Sequence, residues 1–238
     1  MSQPILEIKN LTKSFNKKQV LAPFSLQLDE GQIGVLVGGN GAGKSTIIKM
    51  IGGIFKPSSG EVTVGGLDYL NRKSYLNKIS YMPDDFHFPT GLTVKEWLTF
   101  YAKLARAPKG QIEKALKLVG LDIKSNEKLG HLSKGMRQRL VFAQSYIRDS
   151  DLILLDEPTN GLDPFWVSTF ADILLQLRAQ GKTILLSTHQ LDVAAQIADV
   201  IVFLHQGQIY HVIEVNDVDR DHLHSRLYQI NKEIYGFK

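Results

Sequence analysis

Cysteine is absent from all 238 residues. This excludes disulfides, thiolate metal sites and thiol nucleophiles, and with them zinc-finger and cysteine-hydrolase chemistry; it also fits a reducing compartment. Long apolar runs are missing as well, and no stretch approaches the roughly 18 residues that a membrane-spanning helix needs. The first seven residues contain no basic start followed by an apolar run, so no signal peptide is expected. A large excess of either charge is lacking: 28 Lys and Arg against 24 Asp and Glu leave +4. That balance is compatible with nucleic acid, an acidic membrane surface or an anionic substrate, and selects none of them. No fixed-period repeat occurs, and 20 Gly with 8 Pro is ordinary usage, which excludes a low-complexity or disordered chain. What remains is a globular chain, 43% hydrophobic, long enough for one large domain or two small ones.

Alternating stretches at 5–8, 24–28 and 61–64 predict short antiparallel strands. Near-continuous apolar runs at 33–37, 79–82, 152–155, 183–187 and 200–204 predict strands buried on both faces of a parallel sheet. Helical spacing between several of these runs, at 47–51, 167–177 and 191–198, predicts crossover helices. From about 84 to 148 the spacing is helical without a strand (Leu98, Tyr101, Ala102 and Ala105, then Ile112, Leu116 and Val119), which reads as an inserted helical subdomain. After Gln208 the pattern weakens, and 217–238 predicts one amphipathic helix. Its Asp217, Asp219, Asp221, His222 and His224 match no metal-binding spacing and read as a solvated face.

The strongest local signal is Gly38-Gly39-Asn40-Gly41-Ala42-Gly43-Lys44-Ser45-Thr46, a glycine, four residues, then Gly-Lys-Ser, set between an apolar strand and a helix. Glycines let the backbone wrap so that its N–H groups face phosphate oxygens, and the helix N-terminus adds a positive end. Lys44 is placed to hold the outer phosphates and Ser45 to ligate magnesium. This motif specifies a nucleotide and no more. Leu152-Ile153-Leu154-Leu155-Asp156-Glu157-Pro158 adds a buried strand whose tip delivers two carboxylates to a crevice. Asp156 suits the hydrated magnesium ion, and Glu157 suits the orientation or deprotonation of an attacking water.

Further pieces lie in order along the chain. Leu132-Ser133-Lys134-Gly135-Met136-Arg137-Gln138-Arg139-Leu140 opens a predicted helix running to about Arg148; Ser133 is a good N-cap, and the amides beyond it form a second anion site. Gly161-Leu162-Asp163 and Ser187-Thr188-His189 follow, and Phe15 stands upstream. Together with the phosphate loop these motifs resemble the nucleotide-binding subunit of an ABC transporter, over nearly the whole chain to about position 210. The resemblance implies an α/β fold: a P-loop NTPase core with a mostly parallel sheet, an antiparallel β-subdomain and an inserted helical subdomain. A single cassette at 1–210, with its helical subdomain at about 84–148, would be followed by a short, helical extension at 211–238.

The same resemblance implies a magnesium-dependent ATPase with ATP and Mg2+ as cofactors. It further implies a head-to-tail homodimer or heterodimer, in which residues 38–46 of one subunit and Ser133, Lys134, Gly135, Met136 and Gln138 of the other enclose each ATP. Phe15 would stack on adenine, Asp163 would lie in the D-loop, and His189 would act with Glu157 and Lys44 in catalysis. Membrane-spanning helices would belong to a separate permease subunit, which places the chain in the cytoplasm, peripheral at the inner face of the cell membrane. No direct contact with nucleic acid is expected. The alternative is a soluble ABC-type ATPase acting on nucleic acid or ribosomes, but the second cassette, long coiled coil or zinc element usual in such proteins is not found in the sequence.

Several positions depart from the family pattern. Gly39 stands where proline is frequent, and Lys134 and Met136 replace glycine and glutamine. Asp84 occupies the place of a glutamine that offers magnesium a neutral carbonyl; it is shorter and anionic, a harder ligand. Beside it, Phe86 and Phe88 read as exposed aromatics suited to a partner's helix, with core packing as the competing reading. The Lys-Gly-Met-Arg-Gln-Arg run resembles exporter-type ATPases, whose cargo is recognised by the membrane subunit.

Overall fold

The computed structural model describes residues 4–215 and 220–236. Asp217 and Asp219 of the acidic tail lie outside these residues, as does the side chain of Asp221. The chain opens with strands β1 (Leu6–Phe15), β2 (Lys18–Leu28) and β3 (Ile33–Val37), then helix α1 (Lys44–Ile51). It continues through β4 (Ser59–Val64), β5 (Leu67–Asp68), α2 (Arg72–Asn77) and β6 (Ile79–Met82). Three helices follow, α3 (Val94–Ala105), α4 (Gln111–Leu118) and α5 (Lys134–Tyr146), with no named strand among them. The last part runs β7 (Leu152–Asp156), α6 (Pro164–Ala179), β8 (Thr183–Thr188), α7 (Leu191–Ile197), β9 (Val200–His205), β10 (Gln208–Glu214) and α8 (Arg220–Tyr235).

Two sheets result. One is antiparallel, in the order β2-β1-β4-β5; the other runs β10-β9-β3-β8-β7-β6 and is parallel except for β10. Every residue of β3, β7 and β8 is buried, as their unbroken apolar runs require. Alternate residues divide between two cores. Leu36, Leu154 and Leu185 face α1 and the antiparallel sheet, while Val35, Leu155 and Leu186 join the helices of the opposite face. The sheet is thus covered on both sides, and its strand tips remain the place where loops from several crossovers meet.

The strands at the antiparallel end are longer than their alternation predicts. β1 and β2 pair over most of their length, but register shifts around Leu11 and Lys13 break the period of two, so the apolar pattern stops while the strand continues. Asn16 and Lys17, with φ of 48° and 65°, form the two-residue turn between them, the left-handed geometry that matches strand twist. The edge strand β10 also lacks a sequence signal because most of its side chains are solvated. It crosses position 210, where the sequence predicts the cassette to end.

Candidate nucleotide site

The phosphate loop leaves β3 at Gly38 and enters α1 at Lys44. Glycine is required at Gly38, where a Cβ would stand 2.3 Å from the Leu204 carbonyl oxygen, and at Gly43, where φ is 108°. Gly38, Ala42 and Lys44 are buried, Asn40 and Gly41 are exposed, and Gly39, Gly43, Ser45 and Thr46 are half-buried. Lys44, only 5% exposed, donates from Nζ to the carbonyl oxygens of Gly38 at 2.7 Å and Gly39 at 3.3 Å. The same ammonium lies 3.1 Å from Glu157 Oε1.

The tips of β7 and β8 complete the cluster. Asp156 Oδ1 accepts hydrogen bonds from Ser45 Oγ at 2.8 Å and Ser187 Oγ at 2.7 Å. Ser187 Oγ in turn accepts from the Glu157 N–H at 2.9 Å. Glu157 has φ of 46°, a left-handed turn that carries the chain out of β7. Its Oε2 lies 3.0 Å from His189 Nδ1. Residues from the ends of three adjacent parallel strands are thereby joined in one network, buried at Lys44, Asp156, Glu157 and Ser187 and open to solvent at His189. Burial pushes the Asp156 carboxyl above its ordinary pKa, while its bonds from Ser187 and Ser45 pull in the other direction.

Two oxygen donors, the Ser45 hydroxyl and the Asp156 carboxylate, suit a hard cation such as magnesium, which takes few protein ligands and shares phosphate oxygens. Among the described residues, no group of three or more His, Cys, Asp or Glu could hold a metal ion. Asp84 is exposed, and its Oδ1 accepts a bond from Asn160 Nδ2 at 2.8 Å. Its charge also raises the pKa of Asp156.

Phe15 closes β1 with its ring 40% exposed, edge-on to Phe55 at 5.5 Å and 4.6 Å from Lys13 Nζ. Ser133 caps α5, accepting from the Met136 N–H at 3.2 Å. Asp163 caps α6, accepting from the Trp166 N–H at 2.9 Å. The two caps belong to neighbouring pieces of structure: a Cβ on Gly135 would stand 3.0 Å from the Gly161 oxygen, and one on Gly161 would meet Lys134 Cε at 2.8 Å. Ser133 and Lys134 are exposed, and Met136 is half-buried against the core.

Gln138 differs from the sequence expectation that it faces a partner's ATP. It is buried, and its Nε2 donates to the carbonyl oxygens of Glu157 and Pro158, both at 3.2 Å, within its own chain. It lies one turn in from the exposed start of α5, and its amide reaches the backbone that follows β7 instead of solvent. Phe86 and Phe88 are a second difference. They are half-buried and pack edge-on to Trp97 at 5.7 and 5.4 Å, so they form part of the helical core and not a free aromatic pair. Ser187, which the sequence marks only as a neighbour of His189, is the bridge between Asp156 and Glu157; its signal is a hydroxyl residue closing an apolar run, opposite Asp156 on the adjacent strand.

A family model described as ABC transporter matches residues 21–160. An uncharacterised ABC transporter ATP-binding protein of Methanocaldococcus jannaschii is 36% identical over 222 residues, covering 92% of this chain and 80% of its own. A bacitracin transport ATP-binding protein of Enterococcus faecalis is 36% identical over 227 residues, covering 94% and 73% respectively. A solved ATP-binding subunit of an ABC transporter superposes with a TM-score of 0.83 at 28% identity, covering 94% of this chain and 99% of that one. With the phosphate loop, the paired carboxylates and the capped helix α5 in place, the chain belongs to the ABC transporter family as an ATP-binding subunit, an ATPase coupled to transport.

Proposed function

We propose that two such subunits, identical or not, close head to tail around ATP and drive a separate transmembrane permease. The observation that carries this reading is the polar chain from Ser45 through the buried Asp156, Ser187, Glu157 and Lys44 to the exposed His189. Lys44 and Glu157 occupy each other here, so ATP binding requires Lys44 to exchange the carboxylate for phosphate oxygens. Glu157 is then free to hold a water, with His189 orienting its other oxygen. Magnesium, held by Ser45, Asp156 and phosphate oxygens, would neutralise phosphate charge. Asp84, bonded to Asn160, would contribute to it at most from the solvent side.

Phe15 offers adenine an exposed ring at the end of β1. Ser133, Lys134 and Gly135 present the N-terminal amides of α5, a second anion site on an element other than the phosphate loop. A neighbouring subunit's ATP gives that second site a ligand, with Asp163 beside it. Ser133→Arg is expected to lower ATP hydrolysis at least about 100-fold, as loss of a preorganised donor does, while each chain still binds ATP on its own loop. Equilibrium binding with a fluorescent ATP analogue, alongside steady-state hydrolysis, checks this; full turnover by the variant would refute the two-chain site.

Among the described residues, no helix is long and apolar enough to cross a membrane. The permease contact is best supported at a groove of about 800 Å³ between β6 with α2 and α3 with α5, lined by Ser80, Tyr81, Tyr101, Leu104, Gln144 and Arg148. It adjoins the Phe86 and Phe88 cluster through Tyr101, whose ring is 4.9 Å from Trp97. In this arrangement the phenylalanines support the contact by holding α3, and the single cassette with its helical subdomain at about 84–148 lies peripherally at the cytoplasmic face. Replacing both Phe86 and Phe88 with serine should abolish copurification with the permease and leave ATP binding intact. Because both rings pack on Trp97, a loss of about 2 kcal/mol in stability is expected too. Retained copurification would remove these residues from the contact.

The relatives' descriptions as transporter ATP-binding proteins favour this reading over action on nucleic acid or ribosomes. Export is the direction favoured by the run from Lys134 to Arg139.

A further inference from the structure

Gly39 has a φ outside the left-handed region, so its backbone does not demand glycine. What a side chain would meet there is Tyr235: a Cβ on Gly39 would stand 2.7 Å from its hydroxyl oxygen, which would have to move aside. The Gly39 N–H, a donor that proline would lack, donates to that same oxygen at 2.5 Å.

Tyr235 is the last residue of α8 and is half-buried, its ring edge-on to His205 at 5.2 Å. The helix behind it is well anchored. Leu223, Leu227 and Ile230 recur at helical spacing on one face and are 0%, 0% and 7% exposed. His224 and Tyr228 add contacts to Asp192 at the start of α7. Tyr235 is therefore presented to the phosphate loop by a packed element.

Gly39 is engaged on both sides. Its N–H meets Tyr235, and its carbonyl accepts from Lys44 Nζ, which reaches Glu157 and, through it, His189. A continuous polar chain runs from the end of α8 to the hydrolytic carboxylate through one residue of the loop. Glycine is the most flexible residue for such a position, and the tyrosine bond supplies the restraint that a stiffer residue would provide by itself.

We propose that Tyr235 is a positioning residue for the phosphate loop: its hydroxyl pins Gly39, and α8 thereby sets the loop's affinity for ATP. Tyr235 acts on the loop through Gly39. By reciprocity of linkage, ATP bound to the loop protects the end of α8. The inference rests on residues 38–46 being the ATP site.

The test uses the full chain. Tyr235→Phe keeps the ring on His205 and removes only the hydroxyl, so KM for ATP should rise about 3- to 10-fold, the worth of one hydrogen bond, with kcat unchanged. Gly39→Ala thrusts a methyl at the hydroxyl and should raise KM similarly. The double variant should be no worse than either single one, because both remove one tie. Hydrogen exchange across residues 220–236 should slow on adding ATP to the wild type and much less in Tyr235→Phe. An unchanged KM in Tyr235→Phe, additive rises in the double variant, or ATP-dependent protection that survives loss of the hydroxyl would each overturn the proposal. Lys44→Ala separates the two readings: if it abolishes ATP binding while Tyr235→Phe is silent, the ATP site stands and the tyrosine role falls. If it binds ATP normally, both fall.

Discussion

Glu157→Gln is expected to bind ATP with near wild-type affinity while turnover falls about 100- to 1,000-fold, within the range for loss of a general base. Glutamine retains an oxygen that can accept from His189 or from Lys44, so the buried network around Asp156 and Ser187 has no reason to rearrange. What it cannot do is take a proton from water. If two subunits close around ATP as proposed, uncleaved ATP holds them together, and sedimentation with ATP and magnesium should show a stable dimer for the variant. Normal hydrolysis by Glu157→Gln would mean that another group performs the proton transfer.

Lys44→Ala should have the second large effect, and on two observables. Charge-assisted bonds to phosphate are worth about 1.5–3 kcal/mol each, so losing them should weaken ATP binding at least about 100-fold by calorimetric titration. The protein without nucleotide should suffer as well. Lys44 and Glu157 are 5% and 6% exposed, and removing the cation leaves a buried carboxylate with His189 as its remaining partner in this ion-pair chain. Breaking a buried pair from one side costs about 3 kcal/mol, readable in a denaturant melt. Adding Glu157→Gln to Lys44→Ala should recover much of that stability and none of the binding, which distinguishes the loss of a phosphate ligand from general damage.

The sequence was most informative where a single local pattern had one physical solution. Runs such as Ile33–Val37 and Leu152–Asp156 cannot be solvated on either face, and the structure buries every residue of both. The order of Gly38, Lys44, Asp156, Glu157 and His189 along the chain likewise placed them at strand tips, because a parallel sheet brings the ends of its strands together. Three kinds of information were hidden. Bulges hid the length of β1, since they interrupt the alternation by which a strand is recognised. Side-chain direction hid the role of Gln138, which lies in a motif with an exposed start yet points inward. Distance along the chain hid Tyr235, whose partner is 196 residues away and depends on how α8 crosses the fold. The half-buried state of Phe86 and Phe88 was settled by Trp97, an aromatic nine residues beyond Phe88 that the loop sequence by itself does not involve.

The inward-facing Gln138 makes the two ends of each subunit's work inseparable. Its amide grips the carbonyls of Glu157 and Pro158 from the helix whose first residues, in the proposed dimer, touch the neighbour's nucleotide. In that dimer a shift of the α5 start on the opposite ATP would therefore pull on the backbone that carries the Glu157 carboxylate. In the proposed dimer, the pair of ATP sites would behave as one mechanical circuit, in which each molecule of nucleotide would be sensed by the chain that hydrolyses the other.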